Sequence, residues 1–241
     1  MNGLTAADFA DTGQWRLILN IFPTGMKAHL ENTLHPDLEP QLLFTTEWEA
    51  DGSSLLRNIE NAVYDHPRVL DDFSAKIIVY DRRVVFMPTA LMEETEGAEE
   101  SCFTALYDAS PEDVMTESDD DITVAYAPAK GLKGFINRTF PGARVGCNLM
   151  DKLKQFRRRE DGERLYVEVR ENEADFLLLD GEKLLSASTH SWNAGSDIVY
   201  HGFNLMDVYS VTPKDTRVFL GGEKIPEDVR ETFTRFCAAV E

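Results

Sequence analysis

Residues 165–188, LYVEVRENEADFLLLDGEKLLSAS, decide the fold. LYVEV (165–169) reads as a strand, Glu171-Asn172-Glu173 as a turn, and ADFLLL (174–179) as a second strand. Asp180-Gly181 is a strong hairpin signal, so KLLSAS (183–188) returns as a third strand. A helical stretch over about residues 196–209 follows, carrying Ile198, Val199, Phe203, Leu205, Met206 and Val208. RVFL (217–220) then has the look of a buried strand closed by Gly221-Gly222. A last amphipathic helix is expected from Pro226 through Val229, Phe233, Phe236 and Val240, with Phe233 and Phe236 facing the core together.

The first part of the chain has the same order. RLILNIF (16–22), a turn at Pro23-Thr24-Gly25, residues 26–31 and QLLFTTEWE (41–49) make three strands. Asp51-Gly52-Ser53-Ser54 signals a helix start, and Leu55, Leu56, Ile59, Ala62 and Val63 continue at helical spacing. KIIVY (76–80) returns as a buried strand. The order strand-strand-strand-helix-strand therefore occurs twice, with starts about 150 residues apart, too long a period for a solenoid. Two related lobes account for it, each a three-stranded antiparallel meander extended by a helical crossover to a parallel strand.

The remaining segments are a strand at 84–87, a helix at 93–107, a strand at 122–126, a helix at 132–140, a strand near 143–147 and a basic helix ending at Arg159. The acidic stretch 117–121 and residues 158–163 read as linkers. The domain reading is a polar tail at 1–14, a first lobe at 15–120, connecting elements at 121–162 and a second lobe at 163–241.

Lys and Arg total 24 against 43 Asp and Glu in 241 residues, a formal charge of −19. That charge repels phosphate backbones and anionic lipid, which argues against nucleic acid as a partner. No apolar run approaches the roughly 18 residues of a membrane span, so no membrane insertion is expected. Residues 1–15 hold two acids and no base, unlike a secretory leader. Cys102, Cys147 and Cys237 are scattered without metal-ligand spacing. These features together point to the cytoplasm.

Four segments, VVFMPTALMEE (84–94), ITVAYAPAKGLKGFINRTFPGARV (122–145), residues 166–209 ending in SDIVYHGFNLMDVY, and VFLGG (218–222), occur in an order that resembles the bacterial domain-of-unknown-function family 3822. The resemblance implies an α/β fold with mixed sheets, the actin-like, ribonuclease-H-like plan of two duplicated lobes. It implies no established activity.

An actin-like ATPase needs an Asp-x-Gly-type turn in the first hairpin of each lobe, and a Gly-Gly turn after a late strand of the second lobe for adenosine. Gly221 and Gly222 match the last feature and are the candidate cofactor-binding residues, although glycine there also serves a turn of positive φ. The phosphate turns match poorly. Asn20 stands where aspartate is needed, Pro23 removes an N–H donor, and Glu171 and Glu173 bring negative charge to the second turn. No catalytic residue and no metal ligand is assigned. No cofactor is expected, ATP with magnesium being the one entertained.

Other constellations have plainer readings. Asp197 and His201 share a helix face as a surface pair, and Ser188-Thr189-His190-Ser191 lacks a nucleophile elbow and ends a strand. Asp119-Asp120-Asp121 lacks the spaced ligands of a calcium loop and reads as a solvated acidic turn. Arg157-Arg158-Arg159 complements a helix C-terminus, and Trp15, Trp48 and Trp192 read as core or sheet-face residues. The reading that results is a non-catalytic actin-like scaffold or regulatory protein that works through a protein partner. The alternative is a nucleotide-binding protein or weak ATPase.

Overall fold

The computed structural model describes residues 12–49, 55–92, 97–157, 162–222 and 224–241, with two compact units at residues 1–148 and 149–241. The tail expected at 1–14 lies outside the described residues except for a 3-10 turn at Thr12–Gln14. In the first unit β1 (Trp15–Phe22), β2 (Gly25–Asn32) and β3 (Gln41–Glu47) form the meander. Helix α1 (Leu55–Asp65) then crosses to β4 (Ser74–Val79), which pairs parallel with β1. Ile59, Ala62 and Val63 are the buried stripe of α1, the spacing that made it a helix. β1 buries both faces along most of its length, as the central strand of a covered sheet must.

An insertion follows: β5 (Val84–Pro88), α2 (Thr89–Met92), α3 (Ala98–Leu106), β6 (Met115–Asp119) and β7 (Ile122–Tyr126). Its antiparallel sheet has the order β5-β7-β6 and packs a small core of Met87, Phe103, Val114, Ala125 and Ala127. Helix α4 (Leu132–Thr139) leads to β8 (Arg144–Cys147), which joins β4 in parallel and completes the order β3-β2-β1-β4-β8.

Helix α5 (Asn148–Phe156) opens the second unit. Then come β9 (Glu163–Val169), β10 (Glu173–Asp180), β11 (Lys183–Ser191), α6 (Gly195–Val208), β12 (Arg217–Gly222), α7 (Glu227–Phe236) and β13 (Ala239–Val240). The sheet order is β11-β10-β9-β12-β13, with β9, β12 and β13 parallel. Both units therefore repeat one pairing scheme, the duplicated meander and crossover read from the sequence. The core of the second unit includes Val167, Phe176, Leu178, Ile198, Met206 and Phe233.

Four expectations need correction. Residues 117–121 are no linker: β6 and β7 form a hairpin, and Asp120 adopts φ 48° in its turn, a conformation aspartate tolerates. The acidic triplet is thus a hairpin turn. The helix expected at 93–107 is found as α3, which Gly97 starts at φ 74°; α2 precedes the expected range, and residues 93–96 lie outside the described residues. The second linker, 158–163, also falls mostly outside them, and Glu163 already belongs to β9. Of the elements expected to connect the lobes, residues 121–148 belong to the first unit and 149–162 to the second.

The terminal helix is the fourth. α7 stops at Phe236 because Cys237 is extended, at φ −101° and ψ 166°, and the chain returns as β13 against β12. Val240 therefore packs from a strand, and Phe236 is 48% exposed, edge-on to Phe203 and beneath Arg235. Phe233 is fully buried. A Phe233→Ala change is expected to cost about 3–5 kcal/mol, and Phe236→Ala less than about 1 kcal/mol, both read from urea unfolding midpoints at constant slope.

Candidate functional site

The strand registers place a row of side chains across one face of each meander, just below its first hairpin turn. In the second unit Thr189, Asp175 and Glu168 lie directly opposite one another on β11, β10 and β9, and Gly221 of β12 is next to Glu168. In the first unit the matching row is Thr45, Lys27, Asn20 and Ile78. The row is the site to test for phosphate and metal chemistry, because the turn above it is where an actin-like lobe meets phosphate.

Each turn is closed by a tryptophan that follows the third strand. Phe22 pairs with Gly25 across a two-residue turn, Pro23-Thr24. The Trp48 indole N–H donates to the Pro23 carbonyl at 3.0 Å, and its backbone N–H donates to Thr24 at 2.9 Å. In the second unit Arg170 donates its backbone N–H to Glu173 at 2.8 Å across Glu171-Asn172. There the Trp192 indole donates to the Arg170 carbonyl at 2.9 Å, and its backbone N–H to Asn172 at 3.2 Å. Four hydrogen bonds thus hold the two turns in fixed conformations. Both tryptophans are half-buried.

The charges in the second row are paired within the protein. Asp175 is 1% exposed and receives the Arg170 guanidinium and, at 2.6 Å, the Thr189 hydroxyl. Arg170 also meets Glu173 at 2.9 Å. Burial lowers the Arg170 pKa, but the carboxylates of Asp175 and Glu173 outweigh it and hold the guanidinium above its ordinary value. Glu168 accepts the Tyr166 hydroxyl and meets Lys152 of α5 at 3.4 Å. The Lys152 ammonium also stands 5.5 Å from the centre of the Tyr166 ring. In the first row Asn20, 8% exposed, offers a neutral amide where a metal needs a carboxylate.

Gly221 and Gly222 are the last two residues of β12, still in register with Glu168 and Val169. A Cβ on Gly221 would overlap the Glu168 carboxylate and come to 3.0 Å of the Tyr166 hydroxyl. A Cβ on Gly222 would overlap the Val169 carbonyl, and its φ is +118°, which L side chains rarely adopt. The sheet and the Glu168 cluster thus account for both glycines. Replacing Gly222 strains the backbone, so that change does not isolate an adenosine contact.

The remaining candidates are structural. Asp197 accepts the backbone N–H groups of Asn193 and Ala194 at 2.9 and 3.1 Å, which hold its carboxyl below the ordinary range, with His201 adding a smaller effect. His201 stacks on His190 at 4.1 Å, and His190 meets the Ser188 hydroxyl at 3.1 Å at the end of β11. Arg157 is 8% exposed and donates Nε–H to the Glu182 carbonyl at 2.7 Å, so it is an interior clamp, while 158 and 159 lie outside the described residues. Among the described residues no group of three or more His, Cys, Asp or Glu is placed to hold a metal ion. Sequence reasoning missed Trp48, Trp192, Glu168 and Asp175 as members of the site, and placed Arg170 in the second turn without its ion pairs. The signal that finds the tryptophans is Thr-x-x-Trp, at 45–48 and again at 189–192, at the same point in each meander.

Removing either indole donor alone, as Trp48→Phe or Trp192→Phe, is expected to cost about 0.5–1.5 kcal/mol. Gly222→Ala is expected to cost about 1–3 kcal/mol through backbone strain and overlap. Urea unfolding of the three variants, each probed by circular dichroism, checks both figures.

No curated protein matches the chain in sequence. A crystal structure from Bacteroides thetaiotaomicron VPI-5482, a protein with actin-like ATPase fold and unknown function, aligns with a TM-score of 0.79 at 19% identity, covering 99% of this chain and 93% of that one. The likeness shows the fold: mixed α/β, actin-like, with two five-stranded mixed sheets. The cytoplasmic domain of EpsL, an inner-membrane component of the Vibrio cholerae type II secretion system, aligns at a TM-score of 0.49 and 10% identity, covering 88% of this chain and 84% of that one. A PilM–PilN type IV pilus biogenesis complex aligns at 0.49 and 13% identity, covering 93% and 87%. A family model matches residues 7–238, and the chain belongs to that family, the proteins of unknown function DUF3822.

Proposed function

We propose that this chain is a non-catalytic actin-like scaffold or regulatory protein of the bacterial cytoplasm, acting through contacts with a protein partner. The observation that carries the reading is the row beneath each first-hairpin turn: Asn20 is neutral, and Asp175 and Glu168 are already held by Arg170, Tyr166 and Lys152. A turn that binds phosphate works by presenting backbone N–H groups to solvent around a metal-held carboxylate. Here one turn has proline at its first central position and a neutral asparagine in the row beneath it. The other turn presents the Glu171 side chain to solvent, and its row commits Asp175 and Glu168 to Arg170, Tyr166 and Lys152. These residues do not fit magnesium and a triphosphate. The formal charge of −19 adds a repulsion that any nucleotide would have to overcome.

Thermal unfolding with and without magnesium-ATP tests the reading. A ligand present at a hundred times its Kd stabilises by about 2.7 kcal/mol, so 1 mM nucleotide would reveal a Kd of about 10 µM as a rise of several degrees in Tm. No rise is expected with ATP, ADP or GTP, and calorimetry should give no binding heat. Micromolar affinity with a magnesium requirement would place the protein in the nucleotide-binding class instead.

A further inference from the structure

β3 is the terminal strand of its sheet, and among the described residues no other strand pairs with its outer edge. Beside it runs a groove of about 480 Å³, walled by β3 on one side and by residues 65–69 on the other. Phe44 forms part of its floor, 6% exposed and stacked on His66 at 4.0 Å. Leucines accumulate around it: Leu42 on the strand is 60% exposed, Leu70 just past the far wall 42%, and Leu38 in the loop leading into β3 49%. Eight consecutive residues of that loop, 33–40, are exposed. The exposed acids nearest in the chain are Asp37, Glu39, Glu47 and Asp65, against one base, Arg68.

An edge strand offers a row of backbone donors and acceptors, and proteins usually blunt it with charge or proline along its length. β3 carries no proline, and its one charge is Glu47 at its last position. Its single irregularity is a bulge at Leu43, between the pairs Ala28–Phe44 and His29–Leu42. An extended segment can add to such an edge through main-chain hydrogen bonds and lay alternate side chains into an adjoining groove. The groove itself is lined by one acid, Asp65, and one base, Arg68. Exposed acids flank β3 in the chain, Asp37 and Glu39 before it and Glu47 at its end. Along the edge they favour a basic segment and disfavour a second copy, whose like charges would meet them.

We propose that β3 and its groove form the docking site for an extended segment of a partner protein in which apolar and basic side chains alternate, added as a further strand of the sheet. The proposal rests on the scaffold reading above and names the chemistry of its partner.

The probe is a blocked peptide of about nine residues with valine and lysine alternating. The control has the same length and charge, with proline in place of valine, and cannot join a sheet. The alternating peptide is expected to bind at least about tenfold tighter by fluorescence anisotropy and to slow amide exchange in 41–47. Leu42→Asp, at an exposed position, should weaken it about tenfold with Tm unchanged, although the added acid would strengthen a purely electrostatic contact. Equal affinity for the two peptides, protection elsewhere than 41–47, or an unaffected Leu42→Asp variant overturns the docking site. A dimer in sedimentation that Leu42→Asp dissolves also overturns it, in favour of a second copy. Nucleotide titrations are independent of all these outcomes, so failure here and failure of the scaffold reading are told apart.

Discussion

An indole N–H bonded to the carbonyl of a hairpin turn, made once in each unit, is the interaction that fixes the first turn of each meander. At a half-buried turn that water can reach, each such bond contributes about 0.5–1.5 kcal/mol. Trp48 and Trp192 each make two bonds, one from the ring and one from the backbone, so displacing a ring also disturbs the end of β3 or β11. A rigid turn is no obstacle to phosphate in itself, since phosphate loops are rigid too. The obstacle is chemical: Asn20 brings no carboxylate to the first row, and Asp175 and Glu168 of the second are already paired.

The two rows reach that state by different routes. In the first unit the carboxylate is absent, with Asn20 in the central strand and Lys27 beside it. In the second unit two carboxylates face one another across β9 and β10, an arrangement that on charge alone would be unfavourable. It holds because Arg170 spans Asp175 and Glu173, and because Tyr166 and Lys152 satisfy Glu168. Removing one partner from such a set leaves an uncompensated charge and costs about 3–5 kcal/mol, more than the set contributes when intact. The cluster is therefore locked by the penalty for breaking it. Gly221 belongs to the same design, as its missing side chain leaves room for the Glu168 carboxylate.

Much of the architecture was legible because the meander strands advertise themselves. Asp180-Gly181 and the apolar runs 174–179 and 217–220 fix a hairpin and buried strands by local chemistry, and the same order earlier in the chain exposes the duplication. The site was less legible. Its members, Trp192, Arg170 and Asp175, are separated in the chain and meet only through strand register, which a one-residue bulge such as that between Leu178 and Leu179 can shift. Phe236 misled for another reason: its helical spacing from Val229 and Phe233 was right, but α7 ended there, and periodicity carries no information about the residue after which a helix stops. Asp119-Asp120-Asp121 was read correctly as a turn, yet also as part of a linker, because composition does not distinguish a hairpin tip from a tether.

A β-sheet offers backbone polar groups to other molecules at two kinds of place, its turns and its edges. In an actin-like lobe the central strand ends in the turn, which makes the turn the natural position for a ligand that must be held rigidly. Where a tryptophan fixes the turn, the other offer is the edge, and the same residue links the two. Trp48 follows β3 immediately, so the bonds that close the turn also anchor one end of the strand whose outer edge is open. An anchored edge strand loses less conformational entropy when a partner segment adds to it than a frayed one would. Closing the turn therefore also stiffens an edge strand.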